Sequence, residues 1–378
     1  MQPNQYYSYN QGRLPKGCQM CVKGEKLVLF VTGICPRKCN FCPVSDEKYQ
    51  KDVIFANEKD VKSDDDLIEE AEKMRARGAG ITGGDPLAKL DRTISFIKKL
   101  KEKFGKEFHI HLYTSLNLVS EETLTKLFEA GLNEIRFHPD LDDNKLWDKL
   151  NLVKKFKWDV GMEIPLIPSK EKETKKLIDF VSDKVDFVNL NELEVADNSQ
   201  SNLLDQGMKV KDQLSYAVKG SLELGLEIIE YAKKKKYHLP VHLCTAKLKD
   251  AVQLTNRIKR ESEGAKKKFD IVDKEGMLIR GALYLDELKP GFSYREKLKA
   301  MDKDYMIDKL KPFVQRIKKK FKLEDDEIYL DQQKARILIS KKLVKKKKAY
   351  FISLKLVPAI VTEYPTADQL EIEVEFLE

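Results

Sequence analysis

The sequence predicts an α/β fold, a parallel sheet threaded by helices, with a smaller α+β domain after it. Three observations carry this reading. Short apolar runs alternate with amphipathic helical stretches from residue 27 to about residue 245, the rhythm of parallel strands joined by right-handed crossovers. From about Asp270 that rhythm gives way to strand-like runs, and no helix separates the last two. The length, 378 residues with 42% hydrophobic content, suffices for one large core and a second, smaller one.

The strands expected in the first part are Leu27 to Val31, Gly80 to Thr82, Phe108 to Thr114, Glu134 to His138, Val160 to Ile164 and Phe187 to Glu192. Between them the helical period places helices over Asp64 to Arg77, Leu90 to Phe104, Glu121 to Ala130, Lys145 to Lys155 and Glu171 to Ser182, the first with Ser63 as N-cap and acids in its first turn. A further helix, Tyr216 to Lys235, and a strand, Val241 to Cys244, continue the pattern. The second part reads as a basic helix, Tyr305 to Phe321, and strands Glu327 to Leu330, Arg336 to Ile339, Tyr350 to Val361 and Leu370 to Phe376. The last of these alternates Leu370, Ile372, Val374 and Phe376 with glutamates, as a half-buried strand does. The expected division is an extension over 1–26, the α/β domain over 27–245, a connecting helical segment over 246–300 and a basic α+β domain over 301–378.

Chemistry enters directly after the first strand, in Cys35-Pro-Arg-Lys-Cys39-Asn-Phe-Cys42-Pro. Thiolates hold iron–sulfur clusters, and three of them on a cubane leave one iron without a protein ligand. Zinc prefers four ligands, usually in two separated pairs, and buried inert thiols do not suit a loop rich in Pro, Lys and Asn. About forty residues on, the second strand runs into Thr82-Gly83-Gly84-Asp85-Pro86. Two adjacent glycines let a backbone approach another group closely.

The cysteine spacing, with an aromatic residue before the third cysteine, resembles the radical S-adenosylmethionine (radical SAM) superfamily, and the glycine turn at the second strand end supports the resemblance. It covers residues 27 to 195 well and 196 to 245 loosely. Sequence pattern alone leaves a doubly wound sheet and a barrel both open; the resemblance implies a partial (β/α)6 TIM-like barrel with ligands at the carboxyl ends of the strands. It also implies a 4Fe-4S cluster on Cys35, Cys39 and Cys42. The cofactor, S-adenosylmethionine, would be cleaved reductively to a 5′-deoxyadenosyl radical, and an electron donor such as ferredoxin or flavodoxin would supply the electron.

By the same resemblance the turn Gly83, Gly84, Asp85 and Pro86 would present backbone acceptors to the methionine amino group. Thr114 and Ser115, at the third strand end, would contact the cofactor, and Gly161, Met162 and Glu163 would pack against its adenine. For that last segment, a buried strand with a structural proline is the alternative. Arg136 and His138 share one face of the fourth strand. Arg136 would bind the methionine carboxylate, or else sit in a structural ion pair. Asn189 and Asn191 on the sixth strand, with His138, are candidates for substrate contact. Radical formation itself needs no protein acid–base pair.

Three cysteines remain. Cys18 and Cys21 form a Cys-x2-Cys pair before the first strand, and Cys244 closes Val-His-Leu-Cys. Three readings stay open: an auxiliary 4Fe-4S cluster, as in two-cluster radical SAM enzymes including the archaeal wyosine synthases; a Cys3His zinc site completed by His242; or free thiols.

The formal net charge is +8, yet Lys309 to Lys348 alone holds 15 Lys/Arg against 5 Asp/Glu, so the basic excess is local. Lysine runs at Lys318 to Lys320 and Lys345 to Lys348 suggest a polyanion, and structured RNA such as tRNA is the substrate class expected from them. The whole-chain pattern resembles archaeal radical SAM proteins related to the pyruvate formate-lyase activating enzymes. That makes a glycyl-radical protein the alternative substrate, with a small molecule as another. The non-enzyme alternative is an RNA-binding protein with a structural metal. No apolar run reaches the length of a membrane span and the first sixteen residues lack a signal segment, so no membrane contact and a cytoplasmic location are expected. The charged fraction, 35%, is of the kind that supports ion-pair networks at high temperature.

Overall fold

The computed structural model describes all 378 residues, which form two compact units, Met1–Arg257 and Ile258–Glu378. The first contains strands β1 (Tyr9–Gln11), β2 (Lys26–Phe30), β3 (Phe55–Ala56), β4 (Lys59–Asp60), β5 (Gly78–Thr82), β6 (His109–Thr114), β7 (Glu134–Phe137), β8 (Asp159–Leu166), β9 (Phe187–Glu192) and β10 (Val241–Cys244). They make one open sheet in the order β1-β10-β9-β8-β7-β6-β5-β2-β3-β4. Seven of them, from β10 across to β2, are parallel. The strand Val241 to Cys244 is thus a seventh parallel member, one more than six β/α units provide, and β1 pairs with it antiparallel.

The helices form where local signals agree. Ser63 caps Asp64–Lys73 in a reciprocal capping box with Asp66, and three acids fill the first turn. Leu90–Phe104 buries Thr93, Phe96, Ile97 and Leu100 along one stripe and ends at Gly105, whose φ is +84°. Gly220, at φ +89°, starts the helix Ser221–Lys234, five residues later than the periodicity suggested. Trp147–Lys155 forms tight 3-10 turns where an α-helix was expected.

Along the parallel strands two residue sets alternate. Ile110, Leu112, Ile135, Phe137, Met162, Ile164, Val188 and Leu190 are buried in one apolar core. The other set is polar: His109, His111 and Tyr113 on β6, Glu134 and Arg136 on β7, Glu163 on β8, Asn189 and Asn191 on β9. Tyr113, Arg136, Glu163, Asn189 and Asn191 of this second set, from β6 to β9, line a single cavity with Cys244 of β10, so the sheet is curled with this face inward. A short helix, α1 (Lys16–Val22), packs against β2 and β6.

The second unit carries a six-stranded antiparallel sheet built on Leu278–Leu285, which pairs with Leu356–Glu363 on one side and Arg336–Ile339 on the other. Leu278–Leu285 falls in the stretch expected to be a helical connector. Its near-continuous apolar run, Leu-Ile-Arg-Gly-Ala-Leu-Tyr-Leu, is instead that of a central strand buried on both faces. The expected strand Tyr350 to Val361 also divides, because Lys355 takes a left-handed φ of +59° and ends the helix Lys348–Ser353 before Leu356–Glu363 begins. Arg336 is fully buried and satisfied by Asp331 at 2.8 Å and Glu363 at 2.7 Å. No helix of the chain is long and apolar enough to cross a membrane.

Candidate functional site

The loop after β2 is held at its root. Gly84 N–H donates to Thr32 O at 2.7 Å and Asp85 N–H to Ile34 O at 2.9 Å, which seats the glycine turn at the end of β5 against the residues just before Cys35. Side chains have no room at this junction. A Cβ on Gly84 would lie 2.5 Å from both Gly33 O and Ile34 O, and one on Gly83 would lie 2.4 Å from Thr32 O, at a φ of +153°. Gln50 clamps Cys35 from the other side, accepting from its N–H at 3.3 Å and donating to its carbonyl at 2.9 Å. Asn198, in the long connection after β9, donates to Cys42 O and Val44 O at 3.0 and 2.9 Å. Arg37 binds His138 O at 2.9 Å and pairs with Asp140, fixing the middle of the loop.

So held, Cys35, Cys39 and Cys42 line a cavity of about 520 Å³ together with Thr82, Gly83, Gly84, Thr114, Ser115 and His138. That volume is within the range of small-molecule sites. The three thiols are half-buried and free, and burial pushes all three up, Cys35 to about 11. A metal must therefore displace their protons. This donor set suits an iron–sulfur cluster: three thiols from one loop, no fourth protein ligand in the loop, and open space beyond them.

The other expected cofactor residues divide. Thr114 and Ser115 face the cavity, but Asp85 and Pro86 do not line it. Asp85 is buried, and its carboxylate accepts from Thr114 Oγ1 at 2.7 Å, Ser115 Oγ at 2.6 Å, Ser115 N–H at 3.1 Å and Leu87 N–H at 3.1 Å. It ties β5 to β6 and has no free face for a ligand. Gly161 lies under the Phe187 ring, 2.2 Å from where a Cβ would sit, and Met162 is in the apolar core, so neither is placed at this cavity.

Arg136 belongs to a different site. Its guanidinium bonds Glu134 at 2.5 Å, Glu163 at 2.9 Å, the Tyr113 hydroxyl at 3.4 Å and Cys18 Sγ at 3.4 Å. With these partners it is a satisfied ion pair and not a free carboxylate clamp. Asn189 and Asn191 donate to Glu163 Oε1 at 2.6 and 2.8 Å. Arg136, Glu163, Asn189 and Asn191 line a second cavity of about 430 Å³ along with Cys18, Cys21 and Cys244. The two cavities share Phe41, Pro43, Thr82, Tyr113 and His138 as walls. His242 lines neither; its Nδ1 lies 2.5 Å from Asn189 Oδ1. Burial, with the neighbouring Arg37 charge, pushes His138 down to about 3, so its imidazole is neutral near pH 7.

Tyr113, Arg37 and Gln50 were not singled out from the sequence. Tyr113 had a signal, since His109, His111 and Tyr113 alternate on one face of β6. Gln50 had none, because its role depends on how an irregular loop folds back.

The family described as "Radical SAM superfamily" matches residues 29–181. A protein of Methanocaldococcus jannaschii (strain ATCC 43067 / DSM 2661 / JAL-1 / JCM 10045 / NBRC 100440) named "Putative glycyl-radical enzyme activating enzyme MJ0021" is 39% identical over 381 residues, covering 97% of this chain and 94% of that protein. Among solved structures, the [FeFe]-hydrogenase maturase HydG aligns with a TM-score of 0.39 at 12% identity over 65% of each chain. The coproporphyrinogen III oxidase HemN of Escherichia coli aligns with a TM-score of 0.35 at 12% identity, over 86% of this chain and 90% of its own.

Proposed function

The chain belongs to the radical SAM superfamily, and from that premise we propose that it acts on a protein, as the activating enzyme of a glycyl-radical partner. Membership makes it an enzyme whose cofactors are a 4Fe-4S cluster and S-adenosylmethionine. The observation that carries the protein-substrate reading is the 39% identity, over 97% of the chain, to a relative whose name describes that activity.

In this reading Cys35, Cys39 and Cys42 hold the cluster, and Gly83, Gly84, Thr114 and Ser115 form the wall against which S-adenosylmethionine lies. Held by Cys35, Cys39 and Cys42, the cluster would supply the one-electron reduction of S-adenosylmethionine that lets it remove a hydrogen atom from substrate. The chain's own residues fix and shield. Gln50, Asn198 and Arg37 hold the cysteine loop, and Asp85 holds Thr114 and Ser115 in place. Phe41 and neutral His138, with ring centroids 5.8 Å apart, supply a wall without a charge beside the reacting space and restrict water. The curled, open sheet is, on the same reading, a partial barrel, with the reaction at the carboxyl ends of its strands.

RNA, the substrate class expected from the lysine excess, is the weaker reading. The relative's name points to a protein, and part of the basic charge is neutralised where it arises: Lys309 pairs with Glu287, Lys311 with Asp308 and Lys318 with Asp325. One observation favours a small molecule instead, namely the cavity into which Arg136, Glu163, Asn189 and Asn191 project, adjoining the cysteine loop. The test is anaerobic incubation of the reconstituted protein with a flavodoxin reducing system, S-adenosylmethionine and the glycyl-radical proteins encoded in the same genome. A glycyl-radical doublet in the electron paramagnetic resonance spectrum of a partner, appearing with 5′-deoxyadenosine, supports the reading. Formation of 5′-deoxyadenosine with no radical on any partner overturns it in favour of a small molecule.

A further inference from the structure

We propose that Cys18, Cys21 and Cys244 hold a second iron–sulfur cluster inside the curled sheet, distinct from the one on the loop of Cys35, Cys39 and Cys42. The inference goes beyond the activating-enzyme reading and does not depend on it.

The three cysteines lie far apart in the chain and line one cavity. Cys18 and Cys21, three residues apart on α1, share a helix face, and Cys244 is the last residue of β10. Two devices bring them together. β1 pairs with β10 and so anchors the chain just before α1. Gly17 then lets α1 enter the sheet's concave side: its N–H donates to Glu134 Oε2 at 3.0 Å, and a Cβ there would lie 2.5 Å from Arg136 Nη2 and 2.7 Å from Glu134 Oε1.

Cys18 Sγ donates to Asn189 Oδ1 at 3.9 Å, and two of the three sulfurs also have N–H neighbours that a ligand thiolate would use. Arg136 Nη2 is 3.4 Å from Cys18 Sγ, and Gln253 Nε2 is 3.9 Å from Cys244 Sγ. N–H groups aimed at ligand sulfurs orient them and offset their charge, which a buried set of three thiolates requires. Lys249 lines the same cavity, paired there with Glu194.

The geometry favours a cluster over a single zinc ion. Tetrahedral zinc with bonds of about 2.3 Å brings its sulfurs to within about 3.8 Å of one another and takes four ligands. Three ligand atoms of His, Cys or acidic residues within 4.8 Å of one another occur at His109, Glu134 and Asp159, and at neither cysteine set. His242, the nearest fourth ligand in sequence, is turned to Asn189 and outside the cavity. Three thiols that line one cavity without closing to zinc's span, and without a fourth ligand beside them, suit a cubane held at three corners, whose remaining iron would face that cavity.

The test uses the full chain carrying Cys35→Ala, Cys39→Ala and Cys42→Ala, changes confined to a half-exposed loop. After anaerobic reconstitution with ferrous iron and sulfide and removal of excess, the variant should retain about four irons and four sulfides, as one cubane requires. It should also give a paramagnetic signal on dithionite reduction. Adding Cys18→Ser in that background should remove the iron and the signal while leaving the melting temperature of the apoprotein unchanged. Iron near zero in the triple variant, or zinc retained in place of iron, overturns the proposal. Neither outcome touches the first cluster, whose activity is read separately as 5′-deoxyadenosine released by the unaltered protein.

Discussion

Arg136 Nη2 lies 3.4 Å from Cys18 Sγ, and the same guanidinium bonds Glu134 and Glu163. One buried cation thus joins the amino-terminal extension to β7 and β8. Removing it leaves two carboxylates without their partner, one of them fully buried. Arg136→Ala should cost about 3–5 kcal/mol. The chain's two tryptophans, Trp147 and Trp158, both lie in Met1–Arg257, so urea unfolding followed by their fluorescence reads this unit alone. A loss below about 1 kcal/mol, the value of an exposed pair, would contradict the assignment.

The Asp85 carboxylate is engaged by Thr114 and Ser115 of the β6 end. Asp85→Ala leaves the Thr114 and Ser115 donors unpaired in a buried place and should cost about 3 kcal/mol. The folded variant should bind S-adenosylmethionine several-fold more weakly, in step with its loss of stability, because Thr114 and Ser115 lose the anchor that sets their wall, as equilibrium dialysis would measure. A large loss of affinity at unchanged stability would instead place Asp85 on the ligand.

Gly84→Ala should disturb the cysteine loop, because the added methyl would lie 2.5 Å from two carbonyl oxygens of the chain leading into Cys35. The expected result is loss of most of the iron bound at Cys35, Cys39 and Cys42, determined in a Cys18→Ser background so that only this loop is counted. Full iron retention would show that the turn yields at little cost.

The strands and most helices were legible because their periods survive in sequence: β9 at Phe187–Glu192 and the helix Leu90–Phe104 lie where the pattern put them. The three cysteines of the loop were legible because thiolate spacing is set locally. For Arg136 the sequence left a carboxylate ligand and an ion pair both open, and for Asp85 it did not show the side chain's partners, for a common reason. Their position at strand ends was visible, but their partners come from β6, β8, α1 and the start of the next helical turn, and a buried charge takes its role from whatever it meets. Cys18, Cys21 and Cys244 were grouped from the sequence as one of three readings, and they line one cavity because α1 enters the curled sheet, which the two-residue gap in Cys-x2-Cys does not itself encode. In the second unit the segment Leu278–Leu285 was hidden by the expectation of a connector, though its composition was that of a buried strand.

His138 should stay neutral far into acid. Its folded pKa of about 3 lies below the unfolded value of about 6.5, so between those values the unfolded chain binds a proton that the folded chain does not. Stability is therefore lost as pH falls through that window, by up to about 1.4 kcal/mol per pH unit from this residue. In the apoprotein the His138 ring resonance, assigned by its loss in His138→Phe, should not titrate above pH 5. A midpoint near 6.5 would mean that the ring is solvated.

The central claim is that Cys35, Cys39 and Cys42 hold the cluster at which S-adenosylmethionine is cleaved. The direct measurement is 5′-deoxyadenosine formed by the anaerobically reconstituted protein with dithionite and S-adenosylmethionine, set against the Cys39→Ala variant. Product from the unaltered protein and none from the variant is the expected result. A fully iron-loaded protein that forms no 5′-deoxyadenosine, or a variant that forms as much as the unaltered chain, would contradict it.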